Sequence, residues 1–392
     1  MPRPGRDQQT GLPDLNAYVN EFEMYANDTL RIAVLPGDGI GIEVMEPCLA
    51  VLESAMGRVG GPRLAFERQH AGALCYRDTG IALPDAALDA VRNADATLLG
   101  AMGWPEIRYA DGTEIAPQLD LRNEFGLYAG VRPVKTLPNM PPVLADERAR
   151  KLDFVVVRES TEGLFASRGK GTISGDHEAR DTMVITRDAC ERLFDFSFDL
   201  ARTRKASGGK GTVTCVDKAN VFTSLAFFRK VFDERAASNP DIDAQHAYVD
   251  ATALFMVRKP WDLDVLVTEN MFGDILSDLG AGLMGGMGFA PSADIGDRHA
   301  VFQPCHGTAP DIAGQDKANP TAMFLSAAMM LDWLDDKHGV PPAATAARLI
   351  RHAVDKAYEE GVKPFEVGGR DGTTAIARRV LAALKTGASD IA

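Results

Sequence analysis

Cysteine, aromatic side chains and long apolar runs are scarce in this chain of 392 residues. The five cysteines are Cys48, Cys75, Cys190, Cys215 and Cys305. They form no CxxC pair, which argues against a zinc site or a disulfide framework and favours reduced thiols in the cytoplasm. No stretch approaches the roughly 20 apolar residues of a membrane span, and the first residues lack the apolar core of a secretory signal. We therefore expect a cytoplasmic protein.

Positive charge is also in deficit, because 42 lysines and arginines face 55 aspartates and glutamates, for a formal net charge of −13. Nucleic acids and anionic membranes require clustered positive charge, so this balance argues against both as partners. A small anionic substrate remains open, because a few focused arginines override the mean field locally. The length and the hydrophobic fraction of 45% fit two domains or one large α/β unit.

Apolar runs of strand length alternate with helical patterns along most of the chain. The predicted strands are LRIAVL, ATLLGAM, DFVVVRE, GTVTCVD and LDVLVTE. This alternation is typical of a mainly parallel sheet with helices on its faces. The dense apolar run AMFLSAAMMLDWL predicts a buried helix, and the Gly-rich GAGLMGGMGFAP predicts a flexible connection. Residues 1–28 are polar, so we expect a poorly ordered extension there.

Two aspartates four residues apart, Asp274 and Asp278, give the segment NMFGDILSDLGAG the strongest functional signal. One helical turn places both carboxylates on the same face, where like charges cost stability unless a cation lies between them. A divalent metal that prefers oxygen ligands is the usual candidate. Asp250 closes the strand-like HAYVD and is a third candidate ligand, although alone it could equally end a strand or cap a helix. Lys218, in CVDKANVF, is either a surface ion-pairing lysine or a base for a hydroxyl proton.

Three arginines, Arg122, Arg132 and Arg158, are predicted at or near the ends of strands or helices. A guanidinium binds a carboxylate through two parallel hydrogen bonds, so three of them suit a di- or tricarboxylic acid. Each arginine alone is more often a structural or solvated charge. Their combination with the aspartates indicates metal-assisted chemistry on a polycarboxylate.

Two glycine-containing segments carry weaker signals. PGDGIG lacks the spacing of a dinucleotide fingerprint and the Gly-Lys-Ser/Thr of a phosphate-binding loop, so we interpret it mainly as a tight turn between a strand and a helix. In PCHGTAPDIAGQDKANP, Pro310 and Asp311 either open a helix or place the Asp311 carboxylate on the paired hydroxyls of an adenosine ribose.

Together these segments resemble the β-decarboxylating dehydrogenases, the family of isocitrate, 3-isopropylmalate, homoisocitrate and tartrate/D-malate dehydrogenases. The resemblance runs from about Leu30 to the C-terminus and rests on LPGDGIG, LRNEFGLYAGVRP, VVVRESTEG, VDKANV, YVD, NMFGDILSDL and HGTAPDIAGQDKANP. It implies an isopropylmalate dehydrogenase-like α/β fold with a mainly parallel sheet, unrelated to the Rossmann fold, and a cleft between two domains. We expect residues 29–127 and 285–392 to form the larger, cofactor-side domain, and residues 128–284 to form the smaller domain with the interface of a homodimer.

The resemblance also implies roles for individual residues. The expected residues are Asp250, Asp274 and Asp278 for Mg²⁺ or Mn²⁺; Arg122, Arg132, Arg158 and Gln118 for the substrate; Lys218 and Asp250 for catalysis; and His306, Gly307, Asp311 and Asn319 for the cofactor. Lys218 and Asp250 are expected to serve the site of the neighbouring subunit, so that only a dimer is complete. An aspartate at position 311 favours NAD⁺, because NADP-using relatives typically carry a lysine there.

Two residues depart from the family pattern. Phe165 stands where the catalytic tyrosine is expected, and a phenyl ring donates no proton, which leaves decarboxylation open. Gln118 stands where isopropylmalate enzymes favour an apolar residue. The predicted activity is oxidation, with decarboxylation, of a 3-substituted malate by NAD⁺, with 3-isopropylmalate as first choice. Isocitrate or homoisocitrate and tartrate or D-malate are the alternative substrates, and a non-catalytic regulatory homologue is the alternative of a different class.

Overall fold

The computed structural model describes residues 29–386, and the extension predicted for residues 1–28 lies outside this range. The described strands are β1 Thr29–Gly37, β2 Arg63–Arg68, β3 Ala96–Ala101, β4 Ala129–Lys135, β5 Asp153–Glu159, β6 Thr172–Ser174, β7 Glu178–Arg180, β8 Thr212–Asp217, β9 Asp243–Tyr248, β10 Val265–Thr268, β11 Pro291–Ile295 and β12 Ala300–Pro304. The described α-helices are α1 Ile40–Arg58, α2 Ala73–Thr79, α3 Asp85–Asn93, α4 Pro117–Glu124, α5 Arg187–Ala206, α6 Thr223–Ala237, α7 Val249–Arg258, α8 Asn270–Met284, α9 Thr321–His338, α10 Pro341–Glu359 and α11 Thr373–Thr386.

Ten of these strands form one sheet in the order β2-β1-β3-β12-β11-β4-β5-β10-β8-β9. Both flanks are parallel, as predicted, whereas the central pairs β12–β11, β11–β4 and β4–β5 are antiparallel. Strands from 29–127 and 285–392 occupy one end of the sheet, and strands from 128–284 occupy the other. The division into two domains at these boundaries stays a prediction.

The five strands predicted from apolar runs, β1, β3, β5, β8 and β10, are largely buried. In β1 the residues Ile32 to Leu35 are all fully buried, which is expected of a strand covered by helices on both sides. The predicted buried helix is also confirmed, since Phe324, Ala327, Met330 and Leu331 of α9 are inaccessible to solvent.

Helix α8 extends further than the glycines of its sequence indicated. It begins after Glu269, whose carboxylate accepts hydrogen bonds from the backbone N–H groups of Met271 and Phe272, and it ends at Gly285 in a left-handed conformation. The flexible connection predicted from residue 280 onward is therefore wrong for its first five residues, which are helical. Gly280 is there for close packing, because a Cβ at that position would lie 2.6 Å from a methyl carbon of Val134.

All five thiols are free, and four of them are buried. In the described range no helix is both long enough and apolar enough to cross a membrane.

Candidate active site

One cavity of about 170 Å³ brings together eight of the predicted site residues. They are Gln118, Arg122, Arg132, Arg158, Asp274, Asp278, His306 and Gly307. The cavity lies where the central antiparallel strands meet α4, α8 and the segment after β12. The remaining predicted residues, Lys218, Asp250, Asp311 and Asn319, do not line it.

A larger cavity of about 500 Å³ involves the same central strands but not these residues. Its wall includes Val131 and Pro133, which alternate with Arg132 along β4 and therefore point to the opposite face of the sheet. The three predicted arginines are absent from that wall. The smaller cavity is therefore the candidate active site.

Arg158 is held rigidly against α8. Its Nε and Nη2 donate to the side-chain oxygen of Asn270 at 2.9 and 2.7 Å, and its Nη1 donates to Asp274. The helix approaches closely because Gly273 has no side chain; a Cβ there would lie 2.6 Å from Arg158 Cβ. Burial, together with the positive charge of Arg122, lowers the pKa of Arg158 to about 10, so this arginine remains charged at neutral pH.

Arg122 and Arg132 share a partner that the sequence did not reveal, the carboxylate of Asp294. Arg122 Nε donates to one carboxylate oxygen and Arg132 Nη2 to the other, both at 2.9 Å. Arg132 lies within β4 rather than at a strand end, and its Nη1 also donates to the carbonyl oxygen of Ala293 at 2.9 Å. Asp294 is 1% exposed, and both arginines are buried beside it.

Asp274 and Asp278 lie one turn apart on α8 and both line the cavity, as predicted. Partial burial and the charge of Asp274 raise the pKa of Asp278, which is the expected cost of two neighbouring carboxylates. Hard oxygen ligands at this spacing fit Mg²⁺ or Mn²⁺. Among residues 29–386 no group of three or more acidic, histidine or cysteine side chains is arranged to hold a metal ion.

Lys218 and Asp250 form a pair of their own, with Nζ donating to a carboxylate oxygen at 2.5 Å. Asp250 does not end a strand: β9 stops at Tyr248, and Asp250 is in the first turn of α7. The hydrogen bond from Lys218 lowers the pKa of the Asp250 carboxyl. Both residues belong to the exposed end of the sheet, where Tyr248 is 38% exposed.

Asp217, which the sequence analysis passed over, fixes the segment that carries Lys218. Its buried carboxylate accepts hydrogen bonds from Arg229 at 2.7 and 2.8 Å and from the backbone N–H of Ala219 at 2.8 Å. Arg229 also lies over the ring of Tyr248, 5.1 Å from its centroid. The adjacency of Asp217 to Lys218 in the sequence was the available signal.

The glycine-rich turn PGDGIG joins β1 to α1, as interpreted. The buried carboxylate of Asp38 accepts hydrogen bonds from the backbone N–H groups of Ala73, Leu74 and Gly103. Gly39 has a φ of 55°, and a Cβ there would lie 2.1 Å from the carbonyl oxygen of Thr308. The turn therefore packs directly against the segment that begins at His306.

That segment places its predicted cofactor residues in different surroundings. His306 Nδ1 lies 2.8 Å from the carbonyl oxygen of Gly307, and burial lowers the pKa of the imidazole. Asp311 is exposed in a series of turns; no helix opens there, because α9 begins only at Thr321. Asn319 is buried, and its amide interacts with Glu366 and the backbone of Thr321.

Three buried polar atoms at the cavity have no hydrogen-bond partner in the described part of the chain: Gln118 Oε1, Ser292 Oγ and His306 Nε2. Buried polar groups are nearly always paired, so these atoms indicate positions where a ligand or water completes the bonding. Gln118 and His306 were predicted from the sequence. Ser292, which faces the cavity from β11, was not.

The family model for isocitrate/isopropylmalate dehydrogenase matches residues 31–380. A 3-isopropylmalate dehydrogenase of Methanothermobacter thermautotrophicus is 41% identical over 353 residues, which cover 90% of this chain and 98% of the relative. A 3-isopropylmalate/3-methylmalate dehydrogenase of Methanocaldococcus jannaschii is 40% identical over 351 residues, which cover 89% of this chain and 97% of the relative. The crystal structure of isocitrate dehydrogenase from Methylococcus capsulatus superposes with a TM-score of 0.80 at 34% identity, covering 91% of this chain and all of that one.

Proposed function

We propose that this chain oxidises the 2-hydroxyl of a 3-substituted malate with NAD⁺ and Mg²⁺ or Mn²⁺, and that loss of CO₂ follows. The chain belongs to the isocitrate/isopropylmalate dehydrogenase family and is a hydroxy-acid dehydrogenase. The observation that carries the proposal is the placement of three buried arginines and a pair of aspartates around one small cavity. The first candidate substrate is 3-isopropylmalate, because relatives at about 40% identity carry that name.

The arginines bind and orient the carboxylates of the substrate. Arg122 uses only Nε for Asp294, which leaves its two terminal nitrogens for a ligand. All three nitrogens of the Arg158 guanidinium donate hydrogen bonds to Asn270 or Asp274, so the side chain loses little conformational entropy when it binds a substrate carboxylate. Burial strengthens each of these charge-assisted hydrogen bonds, because little water competes for the guanidinium.

Asp274 and Asp278 would hold the divalent cation, with Asp250 from a second copy of the chain as the third carboxylate. When bound, such a cation acidifies the hydroxyl of the substrate and polarises the carbonyl that forms from it. The absence of a group of three candidate ligands among residues 29–386 supports this arrangement, in which a homodimer builds each site from two subunits.

Lys218, in its neutral amine form, would accept the hydroxyl proton in the cleft of the neighbouring subunit. The Asp217–Arg229 pair fixes the segment that carries Lys218, whose amino group lies 2.5 Å from Asp250, so both residues would enter the neighbouring cleft together. NAD⁺ supplies the hydride acceptor. His306, Gly307, Asp311 and Asn319 belong to one segment beside the β1–α1 turn, and the exposed carboxylate of Asp311 would bind the ribose hydroxyls.

A second candidate substrate, tartrate, is favoured by the polarity of the cavity. Gln118 Oε1 and Ser292 Oγ are buried without partners among residues 29–386, and an isopropyl group would leave them unpaired. A hydroxyl group on C3 would instead complete their hydrogen bonds.

An assay of NADH absorbance with a panel of 3-substituted malates tests the proposal. Each acid is supplied with Mn²⁺ and with NAD⁺ or NADP⁺ in separate reactions, and CO₂ release is measured in parallel. We expect metal-dependent reduction of NAD⁺ with at least one dicarboxylate. Folded protein that binds these acids but turns over none of them would contradict the proposal and favour a regulatory role.

The free, uncrosslinked thiols are consistent with a reducing compartment such as the cytoplasm.

A further inference from the structure

Asp294 is a buried negative charge placed directly behind the substrate arginines. It lies on β11 opposite Gly130 of β4, so its side chain emerges beside Arg132 two residues along that strand. Its two oxygens accept hydrogen bonds from Arg122 and Arg132, and Gln303 Nε2 adds a third at 2.9 Å. No other acidic side chain contacts either arginine through a salt bridge in the described chain.

The carboxylate remains ionised. Burial alone would raise the pKa of Asp294, but the charges of Arg122 and Arg132 outweigh burial and lower this pKa to about 2. Three hydrogen-bond donors converge on the group. An ionised carboxylate only accepts, so it suits three donors better than a protonated carboxyl, which must itself donate one hydrogen bond. Asp294 therefore contributes a full negative charge at neutral pH.

This charge changes the electrostatic balance of the cleft. The cavity is lined by three arginines and two aspartates, Asp274 and Asp278. The carboxylate of Asp294 behind the arginines brings the net charge of this group to zero. The Lys218–Asp250 pair is also neutral, and its arrival from a second subunit would not change that sum. A bound divalent cation adds two positive charges, which a dicarboxylate neutralises, whereas a tricarboxylate leaves one negative charge in excess.

Asp294 also occupies hydrogen-bond donors of Arg132. Nη2 of Arg132 donates to the carboxylate, and its Nη1 donates to the carbonyl oxygens of Val131 and Ala293. A third substrate carboxylate would therefore find fewer free N–H groups as well as an unfavourable charge. Gln118, Ser292 and Gln303, the polar neighbours on that side of the cavity, are uncharged and offer no compensation.

We propose that Asp294 is a positioning and specificity-determining residue that makes the cleft select dicarboxylates and reject tricarboxylates. The inference rests on the proposed function, in that the hydroxy acid must bind at these arginines. It narrows that function by excluding isocitrate and homoisocitrate while retaining 3-isopropylmalate, malate and tartrate.

The test measures binding without turnover. Isothermal titration with fixed free Mg²⁺ and no NAD⁺ compares malate, a dicarboxylate, with tricarballylate, a tricarboxylate. For the wild-type protein we expect malate to bind at least about tenfold more tightly, because one unit charge within about 10 Å in a partly buried site changes affinity by that order. Equal or tighter binding of tricarballylate would overturn the proposal, and so would the failure of both acids to bind.

Asp294→Asn is the decisive variant, since it keeps the shape and removes the charge. We expect the malate-to-tricarballylate affinity ratio to fall by about tenfold or more. Asp264→Asn is the matched control, because Asp264 is an equally buried carboxylate paired with Arg204 outside the cavity. Its ratio should equal that of the wild type. An unchanged ratio in Asp294→Asn would overturn the inference, and if this variant does not fold, the wild-type comparison decides.

Failure of the inference and failure of the proposed function give different results. Turnover of isocitrate at a rate comparable to that of a 3-substituted malate would overturn the dicarboxylate selection and leave the dehydrogenase activity intact. Selective malate binding without turnover of any acid would support the role of Asp294 and contradict the proposed activity.

Discussion

The phenyl ring of Phe165 lies over the guanidinium of Arg158, with 5.0 Å between the ring centroid and Arg158 Cζ. The ring belongs to a short 3₁₀ helix, Leu164–Ser167, that packs near α8. Phe165 thus lies beside an arginine for which we propose substrate binding, at the position where the family resemblance implies a catalytic tyrosine. It provides a cation–π contact but no proton.

We expect Phe165→Tyr to restore a proton donor beside Arg158. A positioned general acid contributes about a hundredfold or more to a proton-transfer step, so the yield of CO₂ per NADH should rise, because protonation traps the enolate before it recombines with CO₂. The measurement is the ratio of CO₂ released to NADH formed in single-turnover reactions.

Phe165→Leu serves as the control for that change, because it removes the ring without adding a hydroxyl. Its CO₂ yield should not exceed that of the wild type, while substrate affinity should weaken slightly through the lost cation–π contact. If Tyr and Leu at this position gave the same CO₂ yield as Phe, position 165 would have no chemical role in this protein.

Asp274→Asn should abolish metal-dependent activity while preserving the fold. The amide keeps one oxygen for Arg158 but loses the negative charge that a divalent cation requires, so we expect activity to fall by at least about a hundredfold. Mn²⁺ binding measured by electron paramagnetic resonance should weaken in parallel, with an unchanged circular dichroism spectrum. Asp262→Asn is the control, because Asp262 is exposed and its only ion pair among residues 29–386 is a long one with Lys259 at 3.9 Å. Wild-type activity in Asp274→Asn would remove the aspartate pair from the mechanism.

Local spacing was sufficient to predict part of this molecule. The helical register of Asp274 and Asp278 follows from four residues of sequence, and the apolar runs of β1, β5 and β10 are typical of buried parallel strands. Such features depend only on neighbours along the chain. The position of Arg158 near the carboxyl end of its strand was predictable for the same reason.

Other features depend on long-range pairing and could not be predicted from one sequence. Asp294 lies 172 residues from Arg122 and 162 from Arg132, and only the antiparallel register of β4 and β11 brings them together. The start of α7 was missed because Tyr248 and Val249 are strand-like by propensity although the chain turns into a helix between them. The structure departs from propensity only at Val249, which is the first residue of the helix.

The separation of the Lys218–Asp250 pair from the aspartates of α8 predicts complementation between inactive subunits. Lys218→Met and Asp274→Asn should each be inactive as homodimers. In a heterodimer, one cleft combines an intact Asp274 with an intact Lys218 of the other chain and is fully wild-type, while the second cleft carries both changes. Random mixing of the two chains should therefore restore about a quarter of wild-type activity, because half of the dimers are mixed and each has one intact site.

The mixing experiment is checked by co-refolding equal amounts of the two variants and comparing the product with the separately refolded ones. As a control, Lys218→Met mixed with Asp250→Asn should recover nothing, because both changes affect residues contributed by the same subunit. Absence of recovery in the first mixture, with heterodimers verified by mass spectrometry, would show that each chain builds its own site.

The Asp294 carboxylate also predicts a specific dependence of stability on pH. Its pKa is about 2 in the folded protein and near 3.9 in an unfolded chain, so folding is favoured by the ionised form. The sign is that of a depressed carboxyl: the stabilisation is fully present above about pH 4 and is lost as the pH falls toward 2. The stabilisation of the folded protein that is lost over this pH interval is about 2.5 kcal/mol.

We therefore expect the difference in the free energy of unfolding between the wild type and Asp294→Asn, measured by urea titration, to be constant from neutral pH to about pH 5 and to shrink below it. Ser292→Ala, a neutral change on the same strand, should cost the same at every pH. A constant difference for Asp294→Asn down to the lowest pH at which the protein folds would mean that the carboxylate is not held ionised by Arg122 and Arg132.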